Sequence, residues 1–176
     1  MDTKLNYADH LKEVELAHAL LQRKLRTSYV MQQVKSLSLI EIRDLYRTIH
    51  HGESPRSGQL PAIDSIAQYR ESFLYLSVFA SLYCQASQGR SKFAIEVSAI
   101  LFAWDFFCQI FPNHIRERRP LGKIRPANFS EAWVVAQALK VNLASLRYCE
   151  KCHGESLIIY QGKFPPKCQI CHLETD

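Results

Sequence analysis

The sequence predicts a mainly α fold, with a helical body over residues 1–145 and a small C-terminal four-cysteine zinc module over 146–176 that contains a short β-hairpin. Three observations predict it. Apolar residues recur at three- and four-residue intervals through most of the body, the C-terminal stretch changes character, and that stretch carries two C-x-x-C pairs. With 47% hydrophobic and 22% charged residues in 176, the chain has the composition of a packed globular protein, not of a disordered one.

From Asp9 to about Gln33, Leu11, Val14, Leu16, Ala17, Leu20, Leu21, Leu25 and Val30 alternate with charged and amide side chains, which predicts one long amphipathic helix. Its apolar face suits either its own core or a partner helix. A second helix starts at Ser38, where Glu41 three residues on completes a capping box. Leu39, Ile42, Leu45, Tyr46 and Ile49 form its inner stripe, and Gly52 ends it. His50 and His51 then sit at a helix end, where the dipole accounts for them. Glycine, proline and serine over residues 52–62 predict an ordered loop.

Residues 65–85 and 90–111 are rich in aromatic and aliphatic side chains and predict the central helical pair of the core. Cys84 and Cys108 lie inside these segments and read as core residues. Three prolines and a glycine between Pro112 and Pro126 forbid a continuous helix there. A further helix follows, capped by Asn128 or Ser130, with Trp133, Val134, Ala136, Leu139 and Leu143 on its packed face. Beyond it, "SLIIYQGKF" is the β-hairpin material.

The arrangement C-x2-C-x15-C-x2-C, made by Cys149, Cys152, Cys168 and Cys171, has the spacing of a four-sulfur zinc site. Four thiolates close the tetrahedron, so one structural Zn2+ per chain is expected, with no open position for water or substrate. His153 and His172 each follow a cysteine and read as exposed neighbours. So small a module cannot bury enough apolar surface to fold alone, and the metal compensates. The acidic N-terminal stretch lacks the basic start and apolar run of a secretory signal. No window supplies the roughly 18–20 apolar residues of a membrane span, so a cytoplasmic location, free thiols and no membrane partner are expected.

The formal net charge is +5, and it is concentrated. Arg116, Arg118, Arg119, Lys123 and Arg125 stand against only Glu117 in the proline-bounded loop, while Lys151, Lys163 and Lys167 flank the cysteine pairs. These eight residues are the candidate DNA contacts, since clustered cations neutralise phosphates and release counterions. Catalysis is not expected: there is no H-E-x-x-H, no Gly-rich phosphate loop and no G-x-S-x-G.

The order "LIEIRDLYRTIHHGESPRSGQLP", then "EAWVVAQAL", then the two terminal C-x-x-C pairs, resembles the FlhC family of bacterial transcriptional activators, the C subunits of the flagellar master regulator. The resemblance implies a mostly helical subunit that binds zinc through the four cysteines. It also implies a hetero-oligomer with a small helical D-type (FlhD-like) subunit, binding to double-stranded promoter DNA, and recruitment of RNA polymerase. The basic loop has no counterpart in the flagellar pattern. The short tail after Cys171 and the divergent body resemble instead the branch carried by conjugative plasmids and integrative elements, where such pairs switch on transfer genes. The alternative to a DNA-binding subunit is a zinc-stabilised interaction subunit that does not itself contact DNA.

Overall fold

The computed structural model describes residues 7–89, 94–112 and 123–172, and the chain divides into two compact units, Met1–Gln59 and Leu60–Asp176. In the first unit α1 spans Tyr7–Gln22, α2 is the single turn Thr27–Val30, and α3 spans Leu39–Ile49. The long helix expected through Gln33 is therefore broken after Gln22. Lys24 takes a left-handed conformation (φ 60°) and the Lys24 and Leu25 amides donate to the carbonyls of Leu21 and Leu20 at 2.8 and 3.2 Å. This is a Schellman closure. The fully buried Leu25 supplies the accompanying apolar contact, so burial of leucine outweighs the strain of a lysine where glycine is usual.

Ser38 caps α3 as expected, with the Glu41 amide donating to Ser38 Oγ at 3.3 Å and the Ser38 amide donating to Glu41 Oε2 at 2.7 Å. The helix ends with His51 (φ 51°) and Gly52 (φ 89°), whose amide returns to the Arg47 carbonyl at 2.8 Å. Ala17, Leu20, Leu21, Leu25, Val30, Val34, Ile42 and Tyr46 make this unit's core; Leu39, Leu45 and Ile49 are half-buried, and Leu11 is exposed. His50 Nε2 donates to the Leu21 carbonyl at 2.9 Å, tying the end of α3 to the end of α1.

In the second unit α4 is Ile63–Ile66, α5 Ser72–Ala86, α6 Val97–Ile110 and α7 Phe129–Lys140. The central pair is present, but each helix starts later than the apolar run does. Ala67 leaves helical geometry after α4, and Glu96 is extended before α6. α5 packs on α6 through the Phe79–Phe107 ring contact at 6.0 Å, and α6 packs on α7 through Trp104–Phe129 at 5.9 Å; within α7, Phe129 meets the fully buried Trp133 at 6.5 Å. Asn128 is the cap of α7, its Oδ1 accepting from the Glu131 amide at 3.1 Å. Leu143 lies beyond the helix and is exposed, and Cys84 and Cys108 are half-buried, so these three are not the core residues expected.

Two antiparallel strands follow, β1 (Ala144–Cys149) and β2 (Gly154–Ile159), paired from Ala144 with Ile159 to Cys149 with Gly154. The hairpin thus begins earlier than "SLIIYQGKF", and its turn lies at the first C-x-x-C pair. Strand β2 is buried along Ser156–Ile159 and packs on α5. Among the described residues no helix is long and apolar enough to cross a membrane.

Candidate metal centre

The first pair of cysteines is positioned by the hairpin itself. Cys149 ends β1, and the chain reverses over Glu150–His153, where His153 is left-handed (φ 55°) and its amide donates to the Cys149 carbonyl at 2.8 Å. The second pair is held by a proline-led loop that ends in a 3-10 turn, Ile170–His172. Here the Lys167 amide donates to the Pro165 carbonyl at 2.8 Å. Gln169, almost fully buried, donates through Nε2 to the carbonyls of Pro165 and Lys167 at 2.9 and 3.0 Å. That amide clasps the loop so that Cys168 and Cys171 face the hairpin.

The four sulfurs lie within 4.8 Å of one another. Cys149 Sγ is 3.4 Å from Cys171 Sγ, Cys152 Sγ is 3.9 Å from Cys168 Sγ, and Cys168 and Cys171 are 3.7 Å apart. A tetrahedral ion with metal–sulfur bonds of about 2.3 Å requires sulfurs about 3.8 Å apart. The residues present therefore fit a closed four-sulfur metal site. Neither His153 nor His172 belongs to the cluster, and His153 Nδ1 lies 3.1 Å from the Tyr148 hydroxyl.

The thiols are not equivalent. Backbone N–H of Cys152, then the Cys171 thiol and the Lys151 N–H, stabilise the Cys149 thiolate and bring its pKa down to about 6. Desolvation, followed by the neighbouring Cys149, Cys168 and Cys152, pushes Cys171 up to about 12. Desolvation also raises Cys152. At Cys168 desolvation acts upward, but the Ser156 hydroxyl and the Cys171 amide outweigh it and its pKa falls. The Cys149 sulfur is favoured as an anion, while Cys152 and Cys171 hold their protons more tightly and would release them to a metal.

The site is fastened to the helical layer at two points. The Leu157 amide donates to Ser77 Oγ at 2.8 Å, while that hydroxyl donates in turn to the Phe73 carbonyl one turn back on α5. Ser81 Oγ donates to Glu155 Oε2 at 2.5 Å.

Of the candidate basic residues, Arg116, Arg118 and Arg119 lie outside the described residues. Lys123 pairs with Glu71 at 2.7 Å, both ends exposed. Arg125 pairs with Glu131 at 2.7 Å, and the second oxygen of that buried carboxylate accepts from the Ala127 amide at 2.6 Å. Lys151 and Lys167 are exposed beside the cysteines, and Lys163 donates to the Gln68 carbonyl at 3.3 Å over the Phe164 ring. The structure adds one cation the sequence reading passed over. Arg147 projects from the same face of β1 as Cys149, with Nη2 donating to the Tyr160 hydroxyl at 2.7 Å and Nε to Ser145 Oγ at 3.2 Å. The signal was in the alternation: Ser145, Arg147 and Cys149 share a strand face.

A family model described as flagellar transcriptional activator (FlhC) matches residues 2–175. Among curated proteins no match to the chain is found.

Proposed function

The chain belongs to the FlhC family of flagellar transcriptional activators, and from that premise we propose that it is a DNA-binding activator subunit. It acts in the cytoplasm, in a hetero-oligomer with a small helical D-type partner, and switches on promoters of conjugative-transfer or flagellar genes by recruiting RNA polymerase. The observation that carries this reading is the family match over nearly the whole chain.

One structural Zn2+ is held by Cys149, Cys152, Cys168 and Cys171, and residues 146–176 act as its module. Four sulfurs at tetrahedral separations support that assignment. When bound, zinc supplies folding free energy and no vacant coordination position. The basic loop from Arg116 to Arg125, with Lys151, Lys163 and Lys167, supplies phosphate contacts. Exposed apolar side chains, Tyr7 and Leu11 on α1 and Phe102 and Phe106 on α6, are surfaces of the kind that partner subunits cover and so support the hetero-oligomer.

The ion pairs of Lys123 and Arg125 favour a second reading, in which the chain is a zinc-stabilised interaction subunit and its partner alone touches DNA. Photocrosslinking the assembled complex to promoter DNA, and identifying the crosslinked subunit, separates the two. Label on this chain is the expected result; label confined to the partner overturns it.

A further inference from the structure

We infer that Arg147, held in place by Tyr160 and Ser145, is a DNA-phosphate contact, and that the phosphate sits in the cleft between the hairpin and the second cysteine pair. The inference rests on the DNA-binding reading above and names a residue and a place for it.

Three observations lead there. Arg147 is exposed and, among the described residues, forms no ion pair, whereas Lys123 and Arg125 are both joined to carboxylates of their own chain. A cation already neutralised must first be stripped of its partner to meet a phosphate; Arg147 need not be. Its orientation is also fixed in advance. The guanidinium carbon lies 5.5 Å from the centre of the Tyr160 ring, Nη2 donates to the hydroxyl of that tyrosine, and Nε donates to Ser145 Oγ, which itself lies 2.7 Å from the tyrosine oxygen. These partners use one edge of the fork and leave Nη1 free to donate outward, so little side-chain entropy is lost when an anion arrives.

The third observation is the cleft. Its volume is about 300 Å³, and its walls include Arg147, Cys149, Glu150, Pro166, Lys167 and Cys168. Arg147, Lys167 and the adjoining exposed Lys151 stand against Glu150 and the net negative charge of a zinc ion with four thiolates, so an anion here is held by direct contact with the guanidinium and not by a net positive field. Both walls are rigid, one a strand of the hairpin and the other the loop clasped by Gln169. A phosphodiester oxygen is the anion that one oriented guanidinium, with an exposed lysine across a shallow cleft, suits.

Binding of the zinc-loaded chain, assembled with its D-type partner, to a labelled duplex of random sequence, followed by fluorescence anisotropy across a salt series, tests this. R147A is expected to weaken binding about tenfold on every sequence and to make the slope of log affinity against log salt shallower by about 0.9, the share of one phosphate. Y160F keeps the charge, so it should weaken binding while leaving the slope as in the wild type; that combination marks Tyr160 as a positioning residue. R147K should fall between, retaining the slope and losing the fork. Unchanged zinc content and circular dichroism establish that each variant is folded. If the wild type binds and R147A has its affinity and slope, Arg147 is not a contact and the DNA reading stands without it. Unaltered affinity in Y160F overturns the positioning role. If the wild type shows no salt-dependent binding to any duplex, the DNA reading itself fails, and this inference with it.

Discussion

The first unit closes the ends of its helices with residues a few positions away and adds longer ties such as His50 to Leu21 and Glu13 to the Lys35 and Ser36 amides, whereas the second fastens its hairpin and its sulfurs through groups far apart in the chain. In the first, Lys24 and Leu25 turn back on Leu21 and Leu20, Ser38 exchanges bonds with Glu41, and Gly52 returns to Arg47. In the second, Ser77 meets Leu157, Ser81 meets Glu155, Lys123 meets Glu71, and Cys149 meets Cys171. Loss of one local closure frays one helix end. Structure assembled from distant groups depends on each of them, and most of all on whatever joins the sulfurs.

Metal removal is the strongest way to break this contrast. Structural zinc contributes on the order of 10 kcal/mol to small modules, so Cys171→Ser, or chelation of the wild type, should abolish hydrogen-exchange protection of β1 and β2 amides while α3 keeps its own. Protection retained in the hairpin without metal would mean that its packing on α5 suffices. Loading should also strengthen with pH. The metal takes thiolates; Cys149 is one above about pH 6, while Cys171, near 12, carries a proton that must leave. Competition against a chromogenic chelator should show tighter binding in alkaline than in mildly acidic buffer, and proton release on loading.

A smaller effect is expected at the buried pair. Glu131→Gln leaves Arg125, about a quarter exposed, without its charge partner, and should cost roughly 3 kcal/mol in urea unfolding, the low end for breaking a buried ion pair. Next comes Ser77→Ala, which strands the Leu157 amide in a buried setting and should cost about 2 kcal/mol. Smallest, and confined to the first unit, Ser38→Ala removes the cap of α3 and should cost about 1 kcal/mol. A Ser38→Ala loss larger than that of Ser77→Ala would reverse the comparison.

The same contrast governs what the sequence discloses. Ser38 with Glu41 is visible because both members of the motif lie within one turn, and so are Asn128 as the cap of α7 and the four cysteines at their spacing. The end of α1 escapes detection because the left-handed residue is Lys24, not a glycine, and because leucines continue across the break. Strand β1 is hidden because "ASLRYC" offers only six residues of alternation directly after a helical run, too few to separate from the helix's continuation. Gln169 and Ser156 look like ordinary polar residues, and only tertiary packing makes one a loop clasp and the other a neighbour of Cys168. The ion pairs of Lys123 and Arg125 escape for the same reason. Charge density shows where cations stand in a chain, but not which of them the fold has already spent.

Cys149 is a member of β1 and pairs with Gly154 across the hairpin. A slip of one residue in that pairing would turn every side chain to the opposite face, carrying its sulfur away from Cys168 and Cys171. Metal capture would therefore proofread the strand register, since a misaligned hairpin cannot bring the four sulfurs together. A chain that held the ion would be one in which Arg147 shares the face of Cys149.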